Sequence, residues 1–190
     1  MKKLLVLSLI LLTCNINAQY SQTSGLYFAK EFSKDAALYK AKSYVMTQIL
    51  GVDENLVKFD IDPLAAASSG ELTSLVYNCE QKNINGLILG FYGNRWNESG
   101  VSYQAYAFKN FEKERAFELF EILEEYFDNE TEYISTFNKE NNMYFKFDDL
   151  TFLIYNDGGK KIRVFWEGFD SEWEYTAYKR TRRRFEKRVD

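Results

Sequence analysis

The side chains capable of chemistry in this chain are chiefly carboxylates: 28 Asp and Glu stand against 24 Lys and Arg, and the 190 residues contain no histidine. Without an imidazole the Ser-His-Asp and Cys-His nucleophile arrangements are excluded, and the commonest transition-metal ligand is gone. Glycoside hydrolysis needs only two carboxylates flanking a cleft, so a carboxylate-dependent hydrolase of an envelope polymer stays open as an alternative. Asp60 with Asp62, and Asp148 with Asp149, offer weak calcium-like pairs, but strand spacing and turn chemistry account for both. Ser68-Ser69-Gly70 sits in no S-x-x-K or G-x-S-x-G context. No Walker loop, dinucleotide fingerprint or calcium-loop spacing occurs, so no metal and no other cofactor is expected. Cys79, in a strand-like run with no histidine partner, reads as a small buried hydrophobe rather than a nucleophile. The balance leans away from an enzyme and towards a non-catalytic module that binds a ligand or a partner.

Two segments suggest binding. Arg95, Trp96 and Asn97 lie in a glycine-bounded polar stretch, Gly93 to Gly100, between two strand-like runs. Trp and Arg recur at binding hot spots, and loops held on a rigid sheet commonly carry function. The second segment is the C-terminal basic cluster Arg180, Arg182, Arg183, Arg184, Lys187 and Arg188, which with Lys179, Glu186 and Asp190 gives residues 179 to 190 a balance of +5. Residues 19 to 178 carry −11. Such a cluster suits an anionic membrane surface or a nucleic acid. It equally suits the negative end of a helix dipole, or an acidic helix of the same molecule. The internal roles are preferred, nucleic acid is disfavoured, and membrane-peripheral attachment through the basic helix remains a further alternative.

The first eighteen residues set the compartment. Lys2 and Lys3 precede a run from Leu4 to Leu12 broken only by Ser8, and Thr13 to Ala18 then closes it with polar and small residues. This is the order of a secretory signal peptide, and the run falls short of the ~20 apolar residues of a membrane span. Cleavage is expected between Ala18 and Gln19. The Ala-Gln junction resembles leaders of exported Bacteroidetes proteins, which implies a bacterial protein exported to the periplasm, the cell surface or the extracellular space. Leu11-Leu12-Thr13-Cys14 also looks like a degraded lipobox, with lipidated Cys14 as the alternative; Thr13 departs from the small residue usual before that cysteine. The partner is then an envelope protein or small molecule.

Removal of residues 1–18 leaves 172 residues (19–190), enough for one domain with a substantial core. The chain's 33 aromatic residues supply bulky material for it. A helix is expected between Ser33 and Gly51, with Ala37, Ala41, Val45 and Ile49 four apart. Strands are expected over 57–61, 73–79, 84–92 and 101–109, with a short helix after Asp62-Pro63 ending near Gly70. Val101, Tyr103, Ala105 and Ala107 alternate with their neighbours as in a half-buried strand. A strong amphipathic helix starts at Asn110 or Phe111. Strands over 143–147, 151–155 and 161–167 form a meander, and Ser171 with Glu174 fits a capping box opening the last helix. The fold class is therefore α+β: a mostly antiparallel sheet of about six or seven strands in the order α-β(several)-α-βββ-α, with helices over one face.

Overall fold

A computed structural model describes residues 27–28, 34–96, 99–135 and 140–189. Leu87, Leu89 and Phe91 point to one side of their strand and Ile88 and Tyr92 to the other, and all five are buried. Apolar residues on both faces require cover on both faces, and this strand lies at the centre of a sheet that has it. The sheet comprises β1 (Tyr27–Phe28), β2 (Asp60–Ala66), β3 (Leu72–Cys79), β4 (Ile84–Trp96) and β5 (Ser102–Glu112), antiparallel in the order β1-β5-β4-β3-β2. A second antiparallel sheet runs in sequence order through β6 (Asn142–Phe147), β7 (Leu150–Asn156), β8 (Lys160–Trp166) and β9 (Phe169–Glu174). The helices are α1 (Lys34–Tyr44), continued by a π-helical turn over Val45–Ile49, α2 (Lys113–Asn129) and α3 (Tyr175–Val189).

The larger core joins one face of the first sheet to α2, α3 and the inner face of the second sheet. Phe91 meets Trp166 and Phe169 at ring-centroid distances of 5.1 and 6.1 Å. The helices run antiparallel: Lys113 Nζ donates to the Val189 carbonyl at 2.6 Å, the Phe117 and Phe185 rings lie 5.5 Å apart, and Phe127 meets Tyr175 at 4.6 Å. Each fully buried aromatic of this kind contributes roughly 1.5–3 kcal/mol by leaving water. The smaller core lies under α1 and its π turn, where Ala41, Tyr44, Val45 and Leu50 cover Leu75, Tyr77, Ile88 and Phe108.

The α+β class and the antiparallel strands are as expected from sequence. Cover is not confined to one face, so Ala105, Tyr106, Ala107 and Phe108 are all buried and β5 is not a half-buried strand. No helix follows Asp62-Pro63. Those residues belong to β2, an edge strand whose pairing with β3 shifts between Pro63 and Ala65, and an edge tolerates the missing proline N–H. Ser171 and Glu174 do not cap the last helix. Phe169, Ser171 and Trp173 alternate inwards in a fourth meander strand, and α3 starts only at Tyr175. The strong amphipathic helix likewise begins at Lys113, because β5 runs on to Glu112. Cys14 and the expected leader fall outside the described residues. Among the described residues, no helix is long and apolar enough to cross a membrane.

Candidate functional site

At one end of the first sheet, the β3–β4 hairpin, the β5–α2 junction and the π turn after α1 enclose a polar cleft of about 530 Å³. Its wall carries four amide side chains, Gln48, Asn83, Asn85 and Asn110, with Glu112, Lys113 and Glu114 at the start of α2. Tyr77 contributes the buried part of the lining. Local sequence explains each piece. Glu80–Lys82 forms a single 3₁₀ turn that ends on Asn83 in the left-handed region (φ 51°), which asparagine tolerates better than most residues. Tyr77 is paired across the ladder with Gly86, and Gly86 with Glu112. A Cβ on Gly86 would stand 2.2 Å from the Phe111 carbonyl oxygen and 2.5 Å from Tyr77 Oη. Only glycine therefore lets the tyrosine side chain lie across β4 towards β5.

Tyr77 Oη is the one buried side-chain nitrogen or oxygen among the described residues that lacks a hydrogen-bond partner. The residue is 1 % exposed. Burial pushes its phenol up to about 12; the Asn110 side chain beside it acts in the opposite direction, and the Glu112 charge adds to the rise. Asn110 is close enough to influence the phenol, but the contact lacks hydrogen-bond geometry, and Asn110 Oδ1 already accepts from Tyr44 Oη at 2.7 Å. The hydroxyl thus stays neutral at physiological pH, a donor and acceptor without a partner. Lys113 is the single cation in the lining, and its Nζ is engaged with the Val189 carbonyl. The α2 N-cap, Glu112, makes no side-chain capping hydrogen bond.

The segments singled out in sequence lie elsewhere. Arg95 is not in a loop: Gly93 to Trp96 continue β4, paired with β5 through Ser102–Ala105. Arg95 Nη2 lies 3.8 Å from Glu167 Oε2, and its side chain runs over Gly168, bracing the β8–β9 turn. Trp96 ends β4 opposite Ser102; its side chain, like the whole of Asn97, is outside the described part.

The C-terminal cations divide into two sets. Lys179 and Arg182 contact Glu124 on α2 at 2.7 and 3.0 Å, and Arg182 also meets Glu186 at 2.8 Å. Arg188 reaches Asp62 at 3.0 Å, and Arg184 Nη1 donates to the Leu64 carbonyl of β2. Burial pushes the Glu124 carboxyl up, but hydrogen bonds from Lys179 and Tyr178 and the charges of Lys179 and Arg182 pull it below its usual range. Arg180, Arg183 and Lys187 are exposed, and none has an ion-pair or hydrogen-bond partner among the described residues. They belong to the outer face of α3, where Tyr175, Thr176 and Arg180 line a shallow basic groove of about 590 Å³.

Cys79 is buried as a free thiol in β3. Asp148 (φ 52°) occupies the β6–β7 turn and binds Arg115 at 2.6 Å, while Asp149 takes Lys109 at 2.5 Å and the Trp166 indole N–H at 2.8 Å. Both aspartates are thus bound to protein groups. No cluster of three or more acidic or cysteine ligands for a metal exists among the described residues. Sequence reasoning missed the cleft. Its one signal was a glycine inside a strand, Gly86, which marks a close approach by another group.

No protein-family model, curated protein or solved structure matches the chain.

Proposed function

We propose that the chain is an exported, non-catalytic binding module whose ligand site is the cleft over Tyr77, and that the ligand is a small, neutral, hydroxyl-rich molecule such as a saccharide unit. The observation that carries this reading is the neutral, unpartnered Tyr77 hydroxyl in a lining of amides and carboxylates. An unsatisfied buried hydroxyl costs about 1–3 kcal/mol, which a ligand oxygen would recover. Hydroxyl groups both donate and accept, so they match asparagine and glutamine amides, acceptor-only carboxylates and a phenol together. An anion would face Glu112 and Glu114 with the only lining cation engaged, and an ammonium group would leave the amide and phenol donors unmatched.

Titration calorimetry of neutral mono- and disaccharides against wild type and Tyr77→Phe tests the reading. Binding to wild type that weakens about tenfold or more in the variant supports it, and binding indifferent to Tyr77 contradicts it. Export is tested separately by the mass of the mature N-terminus. Gln19 is expected, and a diacylglyceryl group on Cys14 would mean lipoprotein processing instead.

A further inference from the structure

The outer faces of α2 and α3 carry opposite charge in parallel lines. On α2 the exposed Glu114, Glu118, Glu121, Glu125 and Asp128 follow spacings of four, three, four and three, which places them on one helix face. Only Glu118 among them has an ion-pair partner among the described residues, Arg115 of its own helix. Like charges at these spacings repel. On α3 the exposed Arg180, Arg183 and Lys187 form a matching line and also lack partners among the described residues. Other cations of α3 reach Glu124 and Asp62 within the molecule, so these three are left over by geometry rather than by a lack of acids.

We infer that this two-helix face is a self-complementary docking surface for a second copy of the chain. A two-fold axis parallel to the helices, lying in the plane of contact, lays α2 of each copy across α3 of the other and leaves every residue at its own height along the axis. The heights are fixed by contacts inside one copy: Lys113 with Val189, Phe117 with Phe185, Glu124 with Lys179 and Arg182. Lys187 therefore falls between Glu114 and Glu118 of the other copy, Arg183 between Glu118 and Glu121, and Arg180 between Glu121 and Glu125. Each strip meets its opposite in register. A flat anionic membrane has no such match. Packed helices lie about 8–10 Å apart, close to one Debye length at physiological salt, so a surface drawn to the cations also meets the acid strip. This inference is independent of the ligand cleft, and Glu114, which borders both, is left unaltered in the test.

Sedimentation velocity of the intact protein over a concentration series, in about 20 mM and about 300 mM salt, reads the association. Wild type should self-associate at low salt, with a dissociation constant about tenfold or more weaker at high salt. A triple reversal on α2 (Glu118→Lys, Glu121→Lys, Glu125→Lys) and one on α3 (Arg180→Glu, Arg183→Glu, Lys187→Glu) should each be monomeric, and their equimolar mixture should recover a complex. Should a reversal fail to fold by circular dichroism, glutamine at the same positions replaces it and should weaken the association several-fold. A wild type that stays monomeric at low salt, or association unchanged by both sets of substitutions, overturns the inference. Binding of a monomeric wild type to phosphatidylglycerol vesicles, lost on the α3 reversal, overturns it too and assigns the strip to a membrane.

Discussion

Two buried tyrosines, one in each core, are treated in opposite ways. Tyr178, in the larger core, places its Oη 2.7 Å from Glu124 Oε1 and 3.1 Å from the Phe120 carbonyl, and the shorter contact takes the proton. The polar groups around it are likewise satisfied: Ser74 and Thr181 share a hydrogen bond of 2.6 Å, and Asn156 donates to the Ile134 carbonyl at 2.9 Å. Tyr77, in the smaller core, is as deeply buried and has no hydrogen-bond partner among the described residues. Burial pushes both phenols up, and Glu124 moves Tyr178 further in the same direction. The contrast separates a hydroxyl used to join elements of the fold from one that lies beside a cleft with no partner among the described residues. The larger core closes on itself, whereas the smaller one borders a cleft.

Substitutions can break this contrast, and Gly86→Ala should have the largest effect. Its Cβ would collide with the Phe111 carbonyl as well as with Tyr77, and backbone cannot rotate away as a side chain can. A loss of about 3 kcal/mol in urea unfolding is expected, the upper end of overpacking. Tyr178→Phe should cost less, about 2 kcal/mol, because Glu124 keeps Lys179 and Arg182 but loses a buried donor. Alkaline titration sharpens the comparison further. A phenol raised in the folded state contributes stability that is fully present below the unfolded value near 10 and is lost as pH rises towards the folded one. Between pH 10 and about 12 Tyr77 should therefore remove up to about 1.4 kcal/mol per pH unit, and Tyr77→Phe should flatten that part of the decline. At neutral pH the same variant should be no less stable than wild type, since it removes a buried hydroxyl that has no partner among the described residues. A large loss at neutral pH would show that the hydroxyl holds the structure together after all.

The architecture was legible where periodicity was strong. Ile162, Val164 and Trp166 marked a meander strand by alternation, and Ala116, Leu119, Phe120, Leu123, Tyr126 and Phe127 marked α2 by its stripe, although Tyr126 is exposed. It was illegible where local chemistry and tertiary context disagree. Ser171 and Glu174 satisfy a capping pattern, yet Trp173 between them belongs in the core, and burying an indole outweighs a cap worth about 1 kcal/mol. Asp62-Pro63 has the chemistry of a helix start, but Leu64 completes the larger core from an extended edge strand. Charge segregation at the C-terminus was visible in sequence, whereas its division into cations that bind Glu124 and Asp62 and cations with no partner among the described residues needed the helix pair. The cleft was beyond reach because Tyr77, Asn85, Asn110 and Glu112 converge only through strand register.

The most direct test of the ligand site is the NMR response of the side-chain amides of Asn85 and Asn110 during titration with the neutral saccharides, in wild type and in Tyr77→Phe. Because the variant keeps the fold, any difference reports the hydroxyl rather than stability. Saturable shifts at both amides in wild type, lost or strongly weakened in Tyr77→Phe, are the expected result. Shifts confined to the α3 groove, shifts that persist undiminished without the Tyr77 hydroxyl, or no shift with any saccharide would contradict the account.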